Sequence, residues 1–176
     1  MKNKCQLIPV VGEENFGKTH IMYFLLDILR NKNVELLYSD FLPYDNENLS
    51  PDLKTILEEF EKNRGSNQLK DFRVILKIGD RNIGLVSQGD YNKRSGSIAD
   101  GNLSIKRHIE FLSGENKVGI NYKKNSDIVP SCDIIIYCTR PSFHTRDKND
   151  FEIKDTNMNS DTQKKYAENL YKKLGL

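Results

Sequence analysis

The sequence predicts one α/β domain over residues 1–176, a three-layer sandwich around a mostly parallel sheet that includes one antiparallel hairpin. Predicted strands and helices alternate along most of the chain, which is typical of helices packed against a parallel sheet. The run "CDIIIYC" is continuously apolar, as expected of a strand buried on both faces. "DFRVILKI" and "IGLVS" are joined by the turn sequence "GDRN" and predict the hairpin.

The first half of the chain predicts a strand, a glycine-bearing loop, a helix, a strand and a second helix. "CQLIPVV" predicts a buried strand, and "KTHIMYFLLDILRNKN" is apolar on nearly all sides, as in a helix packed on a sheet. "VELLYSD" predicts a strand that ends at Asp40. "SPDLKTILEEFEKNRG" predicts a helix with Ser50 as its cap and Pro51 in its first turn. The apolar stripe of this helix comprises Leu53, Ile56, Leu57 and Phe60.

The second half begins with the hairpin and ends with a helix. "QGDYNKRSGS" predicts a polar loop, and "NLSIKRHIEFL" predicts a helix, whereas "KVGINYKKNSD" fits no single pattern. The polar loop "TRPSFHTRDKND" follows the buried strand "CDIIIYC". "SDTQKKYAENLYKKLGL" predicts the last helix, whose apolar stripe comprises Tyr166, Ala167, Leu170, Tyr171 and Leu174. No internal repeat or long linker divides the chain.

Composition excludes several classes of protein. Apolar residues make up 37% of the chain and the formal net charge is +2, so no strong field favours nucleic acid or an anionic membrane. Three cysteines, Cys5, Cys132 and Cys138, form no C-x-x-C pair, which argues against a disulfide framework or a zinc site. The first residues do not resemble a signal peptide, and no apolar run could span a bilayer. A cytoplasmic protein is expected.

Residues 12–19, "GEENFGKT", fit the spacing G-x-x-x-x-G-K-[ST] at every fixed position. The match follows a predicted strand and opens a predicted helix, which is the context that the motif requires. Glycines let successive backbone N–H groups turn toward a phosphate, and the helix N-terminus adds partial positive charge. His20, which follows the motif, fits helix packing as well as ligand contact. The predicted nucleotide-contacting residues are Gly12, Glu14, Asn15, Phe16, Gly17, Lys18, Thr19 and His20.

These residues resemble the P-loop NTPase superfamily. The resemblance covers about the first 30 residues in sequence and the remainder in architecture only. It implies ATP or GTP with Mg²⁺ as ligands, with Lys18 on the β- and γ-phosphates and the Thr19 hydroxyl on the metal. Two carboxylates in the loop, Glu13 and Glu14, would repel a phosphate unless they point outward or contact metal or substrate.

P-loop proteins usually hold Mg²⁺ through an additional acid at the C-terminal end of a neighbouring strand. Asp40 ends one predicted strand and Asp90 lies just past another, so both are candidates. Asp133 begins its strand and is therefore expected at the wrong edge of the sheet.

A kinase-like interpretation places an acceptor loop after the second strand, and "YSDFLPYDNENLSPD" loosely resembles one. Arg140 and Arg146 follow the buried strand "CDIIIYC" and would neutralise a transferring phosphoryl group. The possible acceptor contacts are Asp40, Phe41, Tyr44 and Asp45.

A switch-like interpretation uses the hairpin and Gln88, which could orient an attacking water. The order Ser87-Gln88-Gly89-Asp90 departs from the DxxG loop of GTPases. The run 147–150, "DKND", has the wrong first residue for their base-reading motif, so guanine specificity is unsupported.

Phosphoryl transfer from ATP, kinase-like, is the leading hypothesis. The alternatives are a GTPase-like switch or regulatory NTPase that acts through a protein partner, and a nucleotide sensor without catalysis. A small-molecule acceptor or a protein is the expected partner.

The three histidines show no spacing of a metal-ligand set. The predicted catalytic residues are Lys18, Asp40, Asp90 and Arg140, and the predicted metal ligands are Thr19, Asp40 and Asp90.

Overall fold

The computed structural model describes residues 4–14, 17–42, 50–66, 68–88, 105–115, 130–156 and 158–176. These ranges contain six strands: β1 (Gln6–Val11), β2 (Val34–Leu42), β3 (Asp71–Ile78), β4 (Arg81–Val86), β5 (Ile134–Thr139) and β6 (Phe151–Glu152). They contain four α-helices: α1 (Lys18–Arg30), α2 (Leu53–Asn63), α3 (Ile105–Leu112) and α4 (Ser160–Leu174). A short 3-10 helix, Pro141–Phe143, follows β5.

The strands form one sheet in the order β2-β3-β4-β5-β1-β6. Strands β4, β5, β1 and β6 pair in parallel, whereas β3 is antiparallel to both β2 and β4. Five of the six strands therefore run in one direction, which confirms the mixed α/β fold and the predicted hairpin. Because β3 runs against the others, its first residue lies at the edge where β1, β4 and β5 end.

The larger hydrophobic core lies on the face of the sheet that α1, α2 and α4 cover. Strand residues such as Phe72 and Ile136 pack there against α1, which is buried along most of its length. Tyr23 of α1 stacks on Phe60 of α2 with ring centroids 4.8 Å apart, and its hydroxyl donates to the Lys70 carbonyl at 2.6 Å. Burial raises the pKa of the Tyr23 phenol, so this donor stays protonated.

A second core lies on the opposite face, beneath α3. Phe111 and Leu112 of α3 pack against Ile75, Val86 and Ile135 of the sheet. Helices thus cover both faces. This arrangement explains why β5 is buried at all six of its positions and reads as a continuous apolar run.

The predicted start of α2 was wrong by a few residues. Asp52 rather than Ser50 is the cap, since its carboxylate accepts a hydrogen bond from the Thr55 backbone N–H at 2.7 Å. That bond lowers the pKa of Asp52. Ser50 instead has a positive φ of 54°, and Pro51 lies before the first turn. Both Ser and Asp are good caps, so sequence alone did not separate them.

Strand β6 was not predicted. It has only two residues, which pair in parallel with Val10 and Val11 of β1, and the Ile153 N–H continues the ladder to the Val11 carbonyl at 2.8 Å. A strand this short has no alternation to detect. The ambiguous segment "KVGINYKKNSD" lies outside the described residues.

Within the described ranges, none of the helices combines the length and apolar character needed to cross a bilayer. The three cysteines carry free thiols.

Candidate phosphate-binding site

The loop between β1 and α1 is held at both ends by backbone geometry. The Gly12 N–H donates to the Thr139 carbonyl at 3.1 Å and so extends the β1–β5 pairing by one residue. Gly17 has φ 70°, in the left-handed region that favours glycine, and precedes the first residue of α1. A Cβ at Gly17 would also lie 2.6 Å from the Gln163 side chain of α4. The backbone conformation therefore favours glycine at this position, whereas the Gln163 side chain could move aside.

Lys18 turns back over the loop. Its Nζ donates to the carbonyl of Gly12 at 2.8 Å and to that of Glu13 at 2.7 Å, and only 5% of the residue is exposed. The ammonium group is thus held at the loop rather than extended into solvent. A cation in this position can neutralise an anion that binds to the loop.

The N-terminus of α1 adds donors to the same place. Gly17 offers no side chain to cap the helix, and the first turn of α1 contains no acidic residue. The first backbone N–H groups of a helix have no intrahelical acceptor, and the helix dipole makes them favourable to anions. Asn15 and Phe16, predicted as ligand contacts, lie outside the described residues.

Thr19 faces a carboxylate that the sequence analysis did not identify. Its hydroxyl donates to Asp71 Oδ1 at 3.2 Å, and the Ser87 hydroxyl donates to the same oxygen at 2.8 Å. Ser87 also accepts a hydrogen bond from the Phe72 N–H at 2.8 Å. A hydroxyl of the loop, a hydroxyl at the end of β4 and a carboxylate at the start of β3 thus meet at one edge of the sheet.

The signal for Asp71 was present in the sequence. "DFRVILKI" and "IGLVS" were predicted as an antiparallel pair, so the residue that begins the first strand must lie beside the end of the second. In a fully parallel sheet only the C-terminal ends of strands would lie at this edge, and the antiparallel β3 adds its first residue to them.

Asp40, predicted as a magnesium ligand or base, is hydrogen-bonded to side chains outside this edge cluster. Its neighbour Phe41 packs in the core beside α1, and Ser39 donates to the Pro51 carbonyl before α2. Alternation along β2 therefore places Asp40 on the other face. There the Arg73 guanidinium donates to both of its carboxylate oxygens, at 3.2 Å from Nε and 2.5 Å from Nη2, and Tyr38 donates to it as well.

A buried polar network continues from Arg73 to Gln88. Arg73 and His108 are almost fully buried, and Arg73 Nη1 lies 3.3 Å from His108 Nδ1. Since a guanidinium can only donate, His108 Nδ1 must accept. His108 Nε2 then carries the proton and donates to Gln88 Oε1 at 3.1 Å. Gln88, which the switch-like interpretation expects to orient a water, is hydrogen-bonded to His108 on the α3 side of the sheet.

Arg140, predicted to neutralise a phosphoryl group, pairs with a carboxylate of the loop. Its Nη2 lies 3.0 Å from Glu14 Oε1, and 22% of its side chain is exposed against 60% for Glu14. The loop carboxylate that would repel a phosphate is thus paired with a cation. Arg146 lines the same cavity as Gly12 and Glu13, but its Nη2 lies 3.5 Å from Glu152 and its side chain is 86% exposed.

Two histidines of the described residues have partners outside the cluster. His20 Nε2 lies 2.6 Å from the Arg64 carbonyl and its ring packs edge-on against Phe60, so it serves helix packing. His144 pairs with Asp150 at 2.7 Å. Asp90 falls outside the described residues, as do Tyr44 and Asp45 of the predicted acceptor loop.

Across the described ranges, no group of three or more His, Cys, Asp or Glu side chains forms a ready-made metal cage. Mg²⁺ does not need one, because it is commonly held by one or two protein oxygens together with phosphates and waters. The Thr19 hydroxyl and the Asp71 carboxylate are oxygen donors of that kind, so the residues fit this ion.

The chain matches no family model, no curated protein and no solved structure. Its function must therefore be argued from the arrangement of these side chains.

Proposed function

We propose that this chain binds a magnesium complex of a nucleoside triphosphate, ATP or GTP, in the loop 12–19 as P-loop NTPases do. The observation that carries the proposal is the 3.2 Å contact between the Thr19 hydroxyl and Asp71, at the end of a loop that fits the phosphate-binding spacing. The motif supplies phosphate donors, and the contact supplies a carboxylate beside the hydroxyl that would ligate Mg²⁺.

Each residue of the site has a distinct task under this proposal. Lys18 would exchange its bonds to the Gly12 and Glu13 carbonyls for phosphate oxygens, and the backbone N–H groups at the start of α1 would hold the same anion. Thr19 and Asp71 would hold Mg²⁺, which supplies charge neutralisation between the β- and γ-phosphates when bound. Arg140, beside Glu14, would stabilise negative charge that develops on the transferring group.

Transfer of the γ-phosphoryl group, kinase-like, remains the leading proposal for the reaction. A second candidate, a sensor that binds the nucleotide and leaves it intact, is favoured by one observation. The two residues that follow β4, Ser87 and Gln88, are hydrogen-bonded to Asp71 and His108, and Asp40 is paired with Arg73. The Asp40 carboxylate, which the kinase interpretation expects to act as the base, is therefore hydrogen-bonded to Arg73.

Thermal unfolding with Mg²⁺ and ATP, GTP or no nucleotide tests the binding proposal. A ligand at about 100 times its Kd should stabilise the wild-type chain by roughly 2.7 kcal/mol, which is a rise in Tm of about 5–10 °C for a domain of this size. Lys18→Ala should abolish the rise. Lys62→Ala, a matched change at an exposed lysine of α2, should retain it. The absence of any rise in the wild type would refute the proposal.

Turnover then separates the two candidates. A kinase should consume ATP faster when the right acceptor is supplied, whereas a sensor should return the bound nucleotide unchanged after prolonged incubation with Mg²⁺.

A further inference from the structure

A cavity of about 320 Å³ opens beside the loop 12–19, on the β6 side of β1. Gly12 and Glu13 form its wall toward the loop. These are the two residues whose carbonyls accept hydrogen bonds from the Lys18 ammonium, at 2.8 and 2.7 Å. Under the proposed function Lys18 binds the β- and γ-phosphates, so the transferring phosphoryl group lies at this end of the loop. Arg140, which is proposed to stabilise that group, pairs with the residue that follows Glu13.

Another wall of the cavity contains a histidine and an aspartate that are paired and largely buried. His144 Nε2 lies 2.7 Å from Asp150 Oδ1, and the two side chains are only 13% and 7% exposed. The second oxygen, Oδ2, accepts a hydrogen bond from the Asp147 backbone N–H at 3.0 Å, which fixes the carboxylate. Both members of the pair line the cavity. A second cavity also borders His144, but its described lining includes none of residues 12–19.

The pairing leaves one imidazole nitrogen of His144 able to take up a proton. An ionised carboxylate can only accept a hydrogen bond, so Nε2 carries a proton and, in the neutral imidazole, Nδ1 holds the lone pair. Among the residues that the structure describes, none forms a hydrogen bond with Nδ1. The carboxylate of Asp150 also stabilises the imidazolium that forms when Nδ1 takes up a proton. An imidazole oriented in this way by a carboxylate is the arrangement of a general base.

We propose that this cavity admits a hydroxyl nucleophile, either water or the hydroxyl of a small acceptor, and that His144 is the general base for its attack on the γ-phosphoryl group. The inference rests on the proposed function, which places the triphosphate on the loop 12–19. The oxygen of the nucleophile bonds to the γ-phosphorus while its proton passes to His144 Nδ1. The bond from the γ-phosphorus to the bridging oxygen breaks, and the nucleoside diphosphate leaves with that electron pair. His144 is thus the catalytic residue, and Asp150 is a positioning residue that acts through it.

This assignment supplies the base that the kinase interpretation lacks, since the Asp40 carboxylate is hydrogen-bonded to Arg73 on the α3 side of the sheet. The rest of the lining suits a small hydroxyl compound. Val11 and Ile153 give the cavity apolar surface, and the Glu152 carboxylate can accept hydrogen bonds from further hydroxyl groups. The volume of the cavity lies at the lower end of the range for ligand pockets, which is roughly 300–1,000 Å³.

Turnover and nucleotide affinity, measured on the same proteins, test this inference. Formation of the nucleoside diphosphate from the magnesium complex of ATP or GTP gives turnover, and calorimetric titration gives the Kd. Water is the nucleophile in one set of reactions, and glycerol is added in the other. Release of inorganic phosphate alone identifies water as the nucleophile, whereas phosphorylated glycerol identifies an alcohol.

Three variants change the base, its partner and the cavity. His144→Gln removes the base. Asp150→Asn places an amide beside Nε2 that can donate to it, which moves the imidazole proton to Nδ1 and removes the lone pair there. Glu152→Trp fills the cavity. The controls are Lys148→Gln, at an exposed position of the same segment, and Glu168→Trp, at an exposed position of α4, and both residues lie outside the lining of this cavity.

His144→Gln should lower turnover by about 100-fold or more, the usual scale of general-base catalysis. Asp150→Asn should lower it by about tenfold or more, because the imidazole is then held in the wrong tautomer. Glu152→Trp should lower it by about tenfold or more, since it keeps the nucleophile from its position. All three variants should bind the nucleotide within about twofold of the wild type, and both controls should keep full turnover.

Unchanged turnover in His144→Gln or in Glu152→Trp would overturn the inference. Equal losses of turnover and nucleotide affinity would overturn it as well, because the pair would then only hold the segment 144–150 in place. A wild-type chain that binds the nucleotide and forms no product with either nucleophile would overturn the base assignment and leave the binding proposal standing. A wild-type chain that binds no nucleotide would overturn the proposed function and this inference with it.

Discussion

The hydroxyl of Thr19 lies 3.2 Å from the carboxylate of Asp71, although 52 positions of sequence separate the two residues. The contact exists because β3 runs opposite to β1, β4 and β5, so that its first residue reaches the edge where the loop 12–19 begins. A strand in the parallel direction would place that carboxylate at the other edge of the sheet.

Asp40→Asn should destabilise the fold without weakening nucleotide binding. The substitution removes the carboxylate that pairs with the fully buried Arg73 guanidinium, at a cost of about 3–5 kcal/mol. Urea unfolding measures the loss, and titration with Mg²⁺ and ATP or GTP measures affinity. Asp27→Asn, which breaks the exposed pair with Arg30, is the control and should cost less than about 1 kcal/mol. A stable Asp40→Asn variant that has lost nucleotide affinity would restore Asp40 to the site.

Glu14→Gln should strengthen triphosphate binding by a few-fold. It removes a negative charge from the loop and breaks the 3.0 Å ion pair with Arg140. Because Glu14 is 60% exposed, the effect should be on the scale of a surface pair, about 0.2–1 kcal/mol, and should shrink at high salt. Titrations at two salt concentrations measure it. Weaker binding by Glu14→Gln would indicate that Glu14 contacts the metal or the ligand.

His108 should be neutral with its proton on Nε2 at pH 7. Arg73 cannot accept a hydrogen bond, so Nδ1 must, and Nε2 donates to Gln88. Nitrogen-15 NMR of the imidazole distinguishes the two tautomers and the charged form. His108→Leu should cost about 1–3 kcal/mol, since two buried polar groups lose a partner. A proton found on Nδ1 would contradict the network as described.

Asp52→Ala should destabilise the chain by about 1 kcal/mol at neutral pH, because Asp52 caps α2. The cap bond lowers the folded-state pKa of Asp52 below its ordinary value. Its contribution is therefore present above the unfolded pKa and lost as the pH falls through the folded value. Tm measured at pH 7 and under acid conditions should show the difference between wild type and variant shrinking in acid. Ser50→Ala is the control and should leave Tm nearly unchanged; a larger loss from Ser50→Ala than from Asp52→Ala would assign the cap to Ser50.

The sequence predicted the parts of the fold that carry long patterns. The buried run of β5, the stripe of α2 and the turn of the β3–β4 hairpin each span enough residues to define one structure. Strand β6 spans two residues and depends on pairing with β1, which is a tertiary effect. The choice between Ser50 and Asp52 as cap depends on where the chain turns, and both residue types suit the role.

The site was predicted as far as local sequence defines it. Gly17, Lys18 and Thr19 follow from the motif, and Arg140 follows from the rule that ligands bind beyond strand ends. Asp71 can be placed at the site only when the antiparallel direction of β3 is taken into account. The position of Asp40 depends on the face of β2 on which it lies. Both depend on strand direction or facing and not on residue type.

The most direct test of the account is the Mg²⁺ dependence of nucleotide affinity in Asp71→Asn. The amide still fits the space between Thr19 and Ser87 and lacks only the charge. The account predicts that Mg²⁺ strengthens ATP or GTP binding in the wild type and that this gain falls by about 10–100-fold in the variant. Asp133→Asn, a matched change where β5 begins, should keep the gain in full. An Asp71→Asn variant whose affinity responds to Mg²⁺ as the wild type does would contradict the assignment of Asp71 to the metal.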